Sequence, residues 1–135
     1  MRTDVIFYRM FTEGIGEQLQ KVIEDVVPNE NTETYSTIDT LGQRLRRPSY
    51  DIAVAVLLIS SSEELRNVLS IRHLFDNIKI ILILPDRKNE TIVIGHKLRP
   101  RFLSYTDSDF IDVAVVLENM LKILNPLSKS WKAKS

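Results

Sequence analysis

An α/β protein built on a five-stranded parallel sheet, with helices on both faces, is the fold this sequence predicts, and three observations predict it. Ile52 to Ile59 is an unbroken apolar run, too short for a membrane span and too uniform for a half-exposed strand. Ile78 to Leu84 is nearly as apolar, interrupted only by Lys79. Strand-like and helix-like segments then alternate five times along the chain, the pattern of strands joined by covering helices. Right-handed crossovers and the polarity of the second strand favour the order 2-1-3-4-5, with the second strand at an edge.

The elements follow in chain order. Asp4 to Arg9 is a short strand. Glu13 to Val26 carries Ile15, Leu19, Val22, Ile23 and Val26 at helical spacing, which lays one apolar stripe along one face. Pro28 and Asn29 break that helix, and Thr32 to Ile38 alternates loosely with β-branched and aromatic residues, as an edge strand does. Leu41 to Arg46 is a short basic helix that stops before Pro48. After the central strand, Ser60 and Ser61 each stand three residues before a glutamate, giving two overlapping capping boxes for a helix that turns Leu65, Val68 and Leu69 inward. Pro85 and Asp86 end the fourth strand. A helix from Asn89 to Lys97 and a short strand from Arg101 to Tyr105 lead to a last amphipathic helix, capped by Asp107 and running to Leu124 with Phe110, Val113, Ala114, Leu117, Met120 and Leu121 inward. Residues 1–124 make one domain, and 125–135 read as a polar tail.

Composition excludes several function classes. Eighteen basic and eighteen acidic side chains cancel, so no global field marks a nucleic-acid or membrane-surface protein. With no cysteine there is no disulfide, thiolate nucleophile or cysteine-ligated metal. His73 and His96 lie on different helices without clustered partners, which argues against a metal or general-base site. No signal peptide or membrane span is apparent at the amino terminus, and the expected setting is cytoplasmic. No cofactor is expected.

The layout resembles the receiver domain of two-component response regulators, a flavodoxin-like, three-layer sandwich, over roughly Asp4 to Leu124. Tyr50-Asp51 ahead of an apolar strand, and Ile94-Gly95 ahead of a short fifth strand and an amphipathic last helix, are the phrases that carry it. The resemblance implies a phosphoacceptor carboxylate at the end of the third strand, an acidic magnesium-holding pair after the first, a hydroxyl after the fourth and a lysine in the fifth. Counting from Tyr50-Asp51 places the acceptor at Val56, or at Ala55 or Leu57 with a slip of one residue. The acidic pair falls at Tyr8 and Arg9, the hydroxyl at Leu84 and the lysine near Tyr105. A hard dication needs oxygen ligands, and no residue in the acceptor position is a nucleophile. The resemblance therefore implies a pseudo-receiver: a non-catalytic signalling module, unable to take a phosphoryl group, that works through protein contacts.

Two sets of residues remain as candidate sites. Ser60, Ser61 and Ser62 at a helix start, with Arg9 and Arg87 at carboxyl ends of strands, could hold an anion or nucleotide at the sheet edge. Against that, no glycine-rich loop lets a backbone approach a pyrophosphate, and serines there also serve as caps. Two basic clusters stand out: Arg44, Arg46 and Arg47 on the second helix, and Lys97, Arg99 and Arg101 around the fourth helix and fifth strand. The second, with Phe102, Tyr105, Asp109 and Asp112, falls where the family forms its partner or dimer surface. Arginine and aromatics are enriched at such contacts. Neither cluster carries a recognisable nucleic-acid motif.

Overall fold

The computed structural model describes residues 3–10, 14–47 and 52–124, except for the side chains of 123 and 124. The expected tail and the Tyr50-Asp51 phrase lie outside the described residues. Five strands, β1 (Val5–Arg9), β2 (Thr32–Tyr35), β3 (Val54–Leu58), β4 (Lys79–Leu84) and β5 (Phe102–Tyr105), form one sheet in the order β2-β1-β3-β4-β5. Every pairing is parallel. Helices α1 (Ile15–Val26), α2 (Ile38–Arg46), α3 (Ser62–Leu69), α4 (Asn89–His96) and α5 (Ile111–Leu124) alternate with the strands, giving the flavodoxin-like three-layer sandwich.

The pleat sorts the two cores. Ile6, Tyr8, Ala55, Leu57, Ile80, Leu82 and Leu84 project to one face, where Leu41 and Leu45 of α2, Leu65 and Val68 of α3, and Ile94 of α4 meet them. Val5, Phe7, Val54, Val56, Ile81 and Ile83 project to the other, under Leu19 and Ile23 of α1 and Val113, Leu117 and Leu121 of α5. A central parallel strand needs apolar residues at successive positions because each face has its own helical cover. Gly95 lets α4 lie close to the sheet: a Cβ there would meet Leu82 Cδ2 at 3.2 Å and Leu84 Cδ1 at 3.4 Å.

Two helix starts differ from the sequence reading. The second strand ends at Tyr35 rather than continuing to Ile38, because Thr37 caps α2 by accepting from the Thr40 amide at 3.1 Å. A local side-chain acceptor here outweighs the strand propensity of Ile38. Asp107 does not cap α5; it pairs with Arg87. The turn before α5 is instead held by Ser108 Oγ, which accepts from the Phe110 amide at 2.9 Å, and by Asp109 Oδ1, which accepts from the Ile111 amide at 3.1 Å. Phe110, fully buried, takes φ +65° there, and its carbonyl accepts the first helical bond, from Ala114.

Candidate functional site

The carboxyl edge of the sheet is where an open parallel fold collects its chemistry. At its centre the register sets Tyr8 beside Leu57, and Arg9 beside Leu58. Val56 pairs with Phe7 and Ile81 instead, in the middle of β3 and fully buried under α1 and α5. The residue count from Asp51 thus reaches a core position, while the strand ends at Leu58, with Ile59 just after it. Neither has a nucleophilic atom.

Tyr8 turns to the opposite face and donates its phenol to Glu64 Oε2 at 3.0 Å, wholly within the core. Burial, with the Glu64 carboxylate beside it, raises the Tyr8 phenol well above its ordinary value of 10.0. The other carboxylate oxygen, Oε1, accepts from the Ser60 amide at 2.7 Å and from the Ser60 hydroxyl at 3.1 Å. Ser61 Oγ accepts from the Glu64 amide at 3.1 Å. Of the two overlapping capping boxes, the fold therefore uses Ser61 with Glu64, and Glu63 stays exposed. Glu64 is selected because it lies on the buried side of α3, next to Leu65 and within reach of Tyr8, where its carboxylate meets three donors.

This network bears directly on the expected anion site. Arg9, Ser60, Ser61, Ser62 and Arg87 do lie along one edge, at the ends of β1, β3 and β4. Ser60 already gives both donors to Glu64, so an incoming anion would compete with a carboxylate for them. The Arg9 guanidinium lies 5.8 Å from the centroid of the Phe7 ring. Arg87 stacks 4.1 Å over the Tyr105 ring and pairs with Asp107, whose carboxyl that hydrogen bond lowers. Arg87 and Tyr105 thereby tie the loop after β4 to the loop after β5, with Thr106 Oγ1 donating to the Pro85 carbonyl at 3.3 Å.

On the expected contact surface, Lys97, Arg99, Arg101, Asp109 and Asp112 are exposed, whereas Phe102 and Tyr105 are half-buried on opposite faces of β5. The basic residues precede β5 and the acidic ones follow it. Asp112 Oδ2 also accepts from the Ser104 hydroxyl at 3.3 Å.

The other basic cluster divides. Arg46 and Arg47 are exposed, but Arg44 is buried and its Nε donates to Glu33 Oε1 at 2.8 Å. Tyr35 donates to the same oxygen at 2.6 Å, and Thr3 donates to Oε2. Burial opposes ionisation of Glu33, yet the hydrogen bonds from Thr3, Tyr35 and Arg44 outweigh it and hold the carboxyl at about 2 against an ordinary 4.5. The sequence reading missed this cluster. Its signal was the position of Arg44, three residues after Leu41 and next to Leu45 on the stripe that faces the sheet.

A carboxyl depressed in the folded state contributes stability above its unfolded value, and that contribution disappears as pH falls through the folded value. Urea midpoints should therefore drop between pH 4.5 and about 2. In Glu33→Gln the same titration should be flatter; an unchanged slope would assign acid sensitivity to other carboxylates.

Among the described residues no three His, Asp or Glu side chains group as a metal site, and no helix is long and apolar enough to cross a membrane. No family model matches the chain, and no curated protein matches it.

Proposed function

We propose that this chain is a non-catalytic, receiver-like signalling module that acts through protein contact in a cytoplasmic two-component setting. One observation carries the reading: where a receiver's acidic pair and acceptor would face each other, the register sets Tyr8 and Arg9 against Leu57 and Leu58. Tyr8 is committed to Glu64, and an arginine beside hydrocarbon offers no oxygen to a hard dication. The fold is retained while the phosphoryl chemistry has no atoms to run on. The alternative, an anion or nucleotide held by Arg9, Ser60 to Ser62 and Arg87, would set the ligand against the Glu64 carboxylate, so contact is the reading we adopt.

The surface of α4, β5 and α5 is the contact face we favour. Val93 on α4, with Ile111 and Val115 one turn apart on α5, are 52%, 65% and 52% exposed, three of the five large apolar side chains standing in solvent among the described residues. Lys97, Arg99 and Arg101 lie at one end of β5, and Asp109 and Asp112 lie roughly 13 Å away at the other. A two-fold axis that runs two copies antiparallel along β5 brings the basic end of each against the acidic end of its mate. The partner is then a second copy, or a protein presenting the same pattern. Reversing Arg99 and Arg101 together to glutamate should weaken association several-fold by sedimentation, and added salt should weaken the native contact in the same direction. Unchanged sedimentation and unchanged native pull-down would move the interface elsewhere.

A further inference from the structure

We propose that a second, basic site at the amino end of the sheet binds the phosphate groups of a small phosphorylated ligand. It lies on the α2–α4 face, away from the edge discussed above and separate from the contact surface of β5 and α5. A depression of about 580 Å³ is lined there by Arg66, Leu69 and Ser70 of the α3 end and by Arg72 and His73 of the 3-10 turn Arg72–Phe75. The depression is open to solvent and its lining is mainly polar, which suits a charged ligand held at the surface rather than an enclosed apolar one.

The charge around it is what the tertiary structure assembles. The side chains of Arg72 and His73 are exposed and make no hydrogen bond or ion pair among the described residues. The Arg72–Phe75 turn packs against α2, the helix that ends in the exposed Arg46 and Arg47. The turn that carries Arg72 and His73 thus lies against a helix whose carboxyl end is basic. Opposing them are Asp76, exposed just after the turn, and Glu90, which pairs with Arg66. The Arg66–Glu90 pair is open to water on both sides, and such pairs contribute little, so a phosphate can displace the carboxylate. Carbonyls at the end of α3 also repel an anion, but their half charge is smaller than the full charges of Arg66 and Arg72, which line the depression. Guanidinium groups bind phosphate through paired, charge-assisted hydrogen bonds, and two of them can hold adjacent phosphoryl groups.

The test is amide NMR titration of the intact chain with orthophosphate, pyrophosphate and, at matched ionic strength, sodium chloride. Saturable shifts are expected at Arg66, Ser70, Arg72 and His73, with pyrophosphate binding more tightly than orthophosphate and chloride producing none. Arg72→Gln should weaken pyrophosphate binding roughly ten-fold, while Lys122→Gln, on the opposite layer, should leave it unchanged. The proposal is overturned if chloride reproduces the shifts, if Arg72→Gln has no effect, or if a DNA duplex shifts these amides while neither phosphate salt does. Because the residues differ from those of the α4, β5 and α5 surface, failure here leaves the sedimentation result standing, and the reverse also holds.

Discussion

Replacing Glu64 by alanine should cost this protein roughly 2–4 kcal/mol, measured as the shift in urea unfolding. One substitution strands the buried Tyr8 phenol and both Ser60 donors, the amide and the hydroxyl, while the Ser61 cap survives because its donor is the backbone amide of residue 64. Tyr8→Phe should cost less, on the order of 1 kcal/mol, because Glu64 keeps both Ser60 donors. The double variant should then cost less than the sum of the two singles, the mark of a shared hydrogen bond. Additive effects would show that Tyr8 and Glu64 do not act together. The same network sets an alkaline limit: a phenol raised in the folded state favours folding below its unfolded value of 10.0, and that stability is lost as pH rises beyond it. Tyr8→Phe should remove that part of the alkaline loss.

Val56→Asp should unfold the protein or cost at least about 4 kcal/mol, since it places a carboxylate in the middle of β3, fully buried under α1 and α5 with no partner. Leu58→Asp should be far milder. It stands at the strand end, 8% exposed, beside Arg9 on the neighbouring strand. A gap of roughly 2 kcal/mol or more between the two, read by urea unfolding, is the expected result, because only the second carboxylate has water and a guanidinium within reach. Equal costs would mean that the two positions are equally solvated, against the burial seen here. Neither variant should gain mass when incubated with magnesium and a small phosphodonor, nor should the native chain, because no acidic pair stands at Tyr8 and Arg9 to hold the metal. A phosphoryl adduct on any strand-end carboxylate would end the pseudo-receiver reading.

The layered fold was legible because it rests on local pattern. The run Ile52 to Ile59 has the composition of a strand covered on both faces, and the structure buries all of Val54–Leu58. The stripe Phe110, Val113, Leu117 and Leu121 was legible in the same way, since helical periodicity selects the inward face before any tertiary contact forms. Helix starts were harder: Ser60 and Ser61 offered two equivalent boxes, and Asp107 had the chemistry of a cap. Local propensity could not choose, because the choice lay with residues distant in sequence, Tyr8 for Glu64 and Arg87 for Asp107.

The sequence by itself therefore determined the alternation of elements, the strand order and the absence of a nucleophile in β3. Side-chain type and period carry that information one element at a time. Tertiary structure alone decided which polar groups meet. It turned Arg44 inward to Glu33 while leaving Arg46 and Arg47 outside, and it moved the strand-end position from Val56 to Leu58. Pairing and register are relations between strands and helices far apart in the chain, and the hydrogen bonds of a buried carboxylate can be counted only once those distant donors have been brought around it.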